Sequence, residues 1–214
     1  MIAPTLLLAL VAATAPQKLA VNAEAGNNTF SAVFDAKVGE RINAVSSAVG
    51  CALTYDEGTT SAAGTCSVPL KSIMVDNEPT KTEHFQQWST NKKGTVDECR
   101  FEAKLGALKL QAPLSEKPVK FSGDATFTVC GRARTDGGKE KITGEAMLMP
   151  GGSTSVKIRA QVKGFNRDAY KIGPKYTEGW AARVQQLAPV VAETGTIDFS
   201  IFAKEAETRP ASKP

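Results

Sequence analysis

From residue 47 onward, apolar and polar side chains exchange places with a period of two, and turn residues separate the runs. This is the signature of half-buried antiparallel strands. Residues 47–55 put Val49, Cys51, Leu53 and Tyr55 on one face, and Asp56-Glu57-Gly58 reads as a turn. Residues 64–70 align Cys66, Val68 and Leu70, and residues 97–105 align Cys99, Phe101, Ala103 and Leu105. Residues 119–129 align Val119, Phe121, Gly123, Ala125, Phe127 and Val129. Residues 142–148 and 156–162 read as a hairpin around Pro150-Gly151-Gly152, and residues 196–203 as a last strand. Weaker patterns place the first strands at 29–36 and 38–45. Two stretches break the alternation. Thr80–Trp88 predicts a short helix with Phe85 and Trp88 at i, i+3 spacing. Residues 177–189 predict a second, with Trp180, Val184 and Leu187 on one stripe. About eight strands and one or two short helices, with no internal repeat and no long linker, define one all-β domain, a small closed antiparallel barrel.

Four cysteines (Cys51, Cys66, Cys99, Cys130) form no C-x-x-C pair, so zinc and redox-motif readings are weak and two disulfides are expected. Three pairings are possible. A hairpin that sets Cys51 opposite Cys66 keeps both on their apolar faces, which favours that pair. Cys130 falls on the opposite parity from Val129, so a Cys99–Cys130 bridge requires a bulge or bend at Cys130-Gly131.

Oxidising surroundings fit the N-terminus. Leu6–Ala13 is a compact apolar run followed by small residues, so residues 1–23 read as a signal peptide with cleavage between 15 and 25. Ala13-Thr14-Ala15 fits the cleavage pattern but is followed by Pro16. Val21-Asn22-Ala23 and Ala23-Glu24-Ala25 are the later options. The barrel domain is assigned to 29–206 and a polar tail to 207–214. No apolar run reaches the length of a membrane-spanning helix.

Composition removes further functions. With 26 Lys+Arg against 22 Asp+Glu, the net charge of +4 is too small to propose nucleic acid as the partner. One histidine removes every scheme needing two imidazoles. No G-x-S-x-G elbow and no phosphate-binding glycine loop occur, so neither an enzyme nor a metal or cofactor is expected.

The segments FSAVFDAKVGERINAVSSAVGCALTYDEG, SVPLKSIMVDNEPTKTEHFQQW, CRFEAKLG, KFSGDATFTVCGRAR, FNRDAYKIG and GTIDFSIFAKEA stand in this order along the chain. Together they resemble the YceI-like family of bacterial lipocalin-like, polyisoprenoid-binding proteins. The stretch Asn166, Arg167, Asp168, Tyr170, Ile172 is similar to the family's N-R-x-D-F-G-I motif, with Lys171 where glycine is expected. The helix carries Lys81-Thr82-Glu83 in place of the family's Arg-Asp pair. The resemblance implies an eight-stranded lipocalin-like barrel, periplasmic or secreted, that holds a long-chain isoprenoid lipid in its lumen.

Small inward residues (Ala103, Gly123, Ala125, Gly144, Ala146, Ala160) suggest an underfilled lumen, and an eight-stranded barrel is just wide enough for one slim ligand. The expected lining is Phe101, Phe121, Phe127, Val162, Phe165 and Phe199, with Trp180 or Trp88 at the entrance. The same phenylalanines could instead fill a solid core. Polar candidates for a headgroup are Asn166, Arg167, Tyr170 and Lys171 in one loop and His84 in another. Arg167 could clamp a phosphate or quinone oxygen, or pair with a carboxylate such as Asp168. The expected function is therefore non-enzymatic binding of a polyprenyl phosphate or isoprenoid quinone. The alternative is a disulfide-stapled scaffold with a filled core that binds a protein partner through its loops.

Overall fold

The computed structural model describes residues 15–36, 39–90, 96–150, 155–177 and 191–206. The strands are β1 (Gln17–Val21), β2 (Thr29–Ala36), β3 (Arg41–Ser46), β4 (Gly50–Asp56), β5 (Ser61–Pro69) and β6 (Met74–Val75). They continue with β7 (Arg100–Leu110), β8 (Val119–Val129), β9 (Arg132–Ala133), β10 (Glu140–Leu148), β11 (Val156–Asn166) and β12 (Val191–Glu205). Among the described residues there is one α-helix, α1 (Pro79–Thr90), between β6 and β7. All ladders are antiparallel.

The ring runs β1-β4-β5-β7-β8-β10-β11-β12 and closes where β12 pairs β1, making a closed eight-stranded barrel. β2 pairs the same edge of β12 as β1 does, β3 pairs β2, and β6 pairs β3. These three strands prolong β1, β4 and β5 toward one end, where α1 sits. The first long strand breaks between β1 and β2. There the Asn28 carboxamide oxygen accepts from the Phe202 N–H at 2.7 Å, and the Asn22 N–H donates to the Phe202 carbonyl at 2.7 Å. The two asparagines thereby supply bonds that a continuous ladder would make.

The parity read from the sequence holds along most strands. Val119, Phe121, Ala125, Phe127 and Val129 are buried, as are Phe101, Ala103, Ile197, Phe199 and Ile201. A register shift in β11 lies between Lys163 and Phe165, with Gly164 at φ 72°, so Val162 and Phe165 both turn inward. Glycine is suited to this left-handed position in a bulge.

Both disulfides are present. Cys51 and Cys66 are direct partners across β4 and β5, with Cα atoms 4.1 Å apart. Cys99 and Cys130 have Cα atoms 4.6 Å apart, and the expected bend exists: Cys130 and Gly131 take φ of 49° and 74°.

β1 falls inside the 1–23 stretch read as a leader. Leu19 is buried in the core and opposes Leu53 on β4 and Glu205 on β12. A leader ending at residue 23 would take a barrel strand with it. Residues 1–14, all but Thr177 of the predicted helix at 177–189, Trp180 included, and the tail from 207 lie outside the described residues.

Candidate functional site: the lumen and its mouth

Two of the small inward residues, both glycines, are filled in by large neighbours. Gly144 is the ladder partner of Phe121, and a Cβ on Gly144 would stand 2.5 Å from the Phe121 ring. A Cβ on Gly123 would meet Leu108 at 2.7 Å. Each glycine seats a large neighbour, the large-against-small alternation that fills a core. The expected underfilling is corrected at these two glycines, whereas Ala103, Ala146 and Ala160 do line a cavity within the barrel.

Five rings cross the middle. Phe30 lies 5.0 Å from Phe101 and 5.4 Å from Phe199 between centroids; Phe101 lies 5.2 Å from Phe127 and 6.0 Å from Phe165. This belt separates two cavities that share no lining residue. The lower one, about 60 Å³, is walled by Leu19, Leu53, Tyr55, Leu108, Phe121 and Ile142 among others. The upper one, about 200 Å³, lies under α1, with Phe34, Ile42, Ile73, Val75, Phe85 and Ile197 in its wall.

α1 brings polar groups to the upper mouth. Pro79 opens it, where a missing N–H is harmless. Lys81, His84, Phe85 and Trp88 follow at helical spacing and all face the cavity. The far end of the helix is pinned by Arg132, which donates to the carbonyls of Ser89, Thr90 and Tyr170. Burial pushes the Arg132 pKa below the usual guanidinium range.

The mouth's cations already have partners. Lys81 Nζ is 2.8 Å from Glu40, 3.0 Å from Asp76 and 3.2 Å from Glu78, one ammonium among three carboxylates. The hydrogen bonds to Glu40 and Asp76 hold the Lys81 pKa above its ordinary value. Burial opposes ionisation of Asp76, but the Asn43 N–H and Lys81 outweigh it and keep its pKa low. Arg167 reaches the cavity wall, yet its guanidinium donates to the carbonyls of Ala192 (3.0 Å), Ile172 (2.6 Å) and Val191 (2.8 Å). Burial lowers its pKa. It works as a clamp between two chain segments. Asp168 does not pair with it and instead meets Lys175 at 2.6 Å.

The other residues of that loop are also structural. Asn166 caps a 3-10 turn (Arg167–Tyr170), accepting from the N–H groups of Asp168 and Ala169. Lys171 follows at φ 55°, a left-handed position that explains why glycine would be expected there. Tyr170 is buried against Phe165 (4.8 Å, nearly parallel), and its hydroxyl donates to Glu140 at 2.8 Å. Burial and Glu140 push the Tyr170 pKa well up. Arg134 bonds the same Glu140 oxygen at 2.8 Å. Asn166 and Tyr170 line neither cavity.

Of the expected lining, Phe101, Phe165, Arg167 and His84 border the upper cavity. Phe121 and Phe199 border the lower one. Phe127 and Val162 are buried without lining either. Phe30, Phe34, Ile42, Ile73 and Lys81 were missed. The His84–Phe85–Trp88 spacing was the one signal pointing to this end.

His84 stacks on Trp88 at 6.4 Å. Among the described residues, no cluster of three His, Cys, Asp or Glu could hold a metal ion, and no helix is long and apolar enough to cross a membrane. Among the described residues, the exposed large hydrophobics are Val45 and Met74, which are cross-strand partners.

No family model and no curated protein matches the sequence. Among solved structures, a polyisoprenoid binding domain from Saccharophagus degradans implicated in plant cell wall breakdown is similar, with a TM-score of 0.55. The match covers 88% of this chain and 98% of that domain at 12% identity, a likeness that shows the fold alone.

Proposed function

We propose that the chain binds an amphipathic isoprenoid-type lipid outside the cytoplasm, without covalent chemistry. The observation that carries this reading is the upper cavity: an apolar chamber under α1 with its few polar groups gathered at one mouth. The barrel's likeness to a polyisoprenoid binding domain and the two disulfides support it. A neutral quinone-type head suits the mouth better than a phosphate. Arg167 is engaged by carbonyls, and Lys81 lies among carboxylates that would repel an anion. Export processing, on this reading, leaves β1 in place and so occurs before Gln17. Native mass spectrometry of protein purified from its own envelope tests the proposal. A bound neutral prenyl lipid is the expected result; consistently ligand-free protein that also binds no added prenyl lipid overturns it.

A further inference from the structure

We propose that the Phe30–Phe199 pair is a stop that sets how much of a prenyl chain the barrel accepts. This rests on the lipid-binding reading above. The two residues are direct ladder partners on β2 and β12, both buried, and their rings meet edge-on at 5.4 Å. Phe30 belongs to the floor of the upper cavity and Phe199 to the roof of the lower one. Phe101 backs Phe30 at 5.0 Å and lies 6.0 Å from Phe165, so Phe30 cannot swing aside without disturbing the belt.

The volume above the stop defines the class of occupant. A dry apolar cavity of about 150 Å³ holds benzene, so the upper cavity, about 200 Å³, takes roughly eight to ten carbons. That is about two isoprene units. Further units must remain at the mouth, among Glu40, Lys81 and His84, where burial gains little. The space beneath the stop is apolar: Leu19, Leu53 and Ile142 line the lower cavity, which the belt closes off and to which the Phe30–Phe199 pair stands nearest. The barrel therefore selects on the first units of a chain and is indifferent to the rest.

The test is calorimetric titration of the full-length processed protein with three prenyl alcohols: geraniol, farnesol and geranylgeraniol. For the wild type the expected tightening from the shortest to the longest is less than about threefold. For Phe30→Ala, which joins the chambers, it is at least about thirtyfold, because newly admitted methylenes are buried. A wild-type affinity that climbs about thirtyfold across the series overturns the stop. So does a folded Phe30→Ala variant with the flat wild-type profile. Should Phe30→Ala not fold, Phe199→Ala opens the same contact from below and is read the same way, while the wild-type series already discriminates by itself. Absence of binding by every alcohol overturns the lipid-binding reading and this inference with it, a result distinct from binding that climbs with length.

Discussion

The two ends of the barrel share most of their long strands and differ in what fills them. At the lower end β1 and β4 close the wall, glycines seat Phe121 and Leu108, and about 60 Å³ remains. At the upper end β2, β3 and β6 carry the wall past the ring, a helix covers the opening, and about 200 Å³ remains. The lower half is thus built for stability. The upper half gives up packing for space, and its cross-links and caps compensate. Cys99–Cys130 and Arg132 brace the base of α1, and Arg167 ties β11 to β12.

Removing β1 should break this contrast most severely. A chain begun at residue 24 loses the strand that joins β4 to β12, and we expect no cooperative thermal unfolding, whereas a chain begun at Gln17 melts sharply. A sharp, unshifted melt of the shorter chain would show that the lower wall closes without β1.

Next come the packed rings. Phe121→Ala, in the filled half, should destabilise by about 3–5 kcal/mol in urea unfolding. Phe85→Ala, on a half-buried cavity wall, should lose roughly 1–2 kcal/mol, since the site is already open on one side. Equal losses would contradict the division of labour.

The disulfides rank just below the larger of these. By the chain-entropy argument, Cys51→Ser/Cys66→Ser, which opens a 15-residue separation, should lose about 3 kcal/mol, and Cys99→Ser/Cys130→Ser, at 31, slightly more. The second pair should also expose amides of α1 to hydrogen exchange, and the first should not. The reverse pattern would detach the bridge from the helix.

The smallest effect concerns pH. The Tyr170 phenol has a raised pKa in the fold, from burial and from Glu140. Its contribution is present below the ordinary phenol range near pH 10 and is lost as pH rises above it. Wild-type stability should fall above about pH 10 more steeply than that of Tyr170→Phe, measured by denaturant midpoints across that range.

Much of the barrel was legible because inward and outward side chains differ so sharply in hydropathy. The parity of Phe121, Phe127 and Phe199 and the Cys51–Cys66 register follow from period two alone. β1 was hidden because Gln17–Val21 adjoins an apolar leader-like run, and composition cannot tell a strand from the end of such a segment. The meaning of Gly144 was hidden for another reason: that it seats Phe121 depends on a cross-strand partner, which one strand's sequence does not contain. Arg167 and Tyr170 looked like ligand groups because polar residues in a loop near a lumen serve binding and folding equally well. Their hydrogen bonds to Val191, Ala192 and Glu140 come from segments 24, 25 and 30 residues away in sequence.

The central claim is that the upper chamber, and not the lower, receives a lipid chain. Photolabelling with a ten-carbon prenyl probe carrying a diazirine at its chain end tests it directly. Peptide mapping should place the label on the chamber floor and walls, at Phe30, Phe34, Ile73 or Phe101. Label on Leu53, Leu108 or Ile142 in the lower half, or on the outer faces of the strands, would contradict the account.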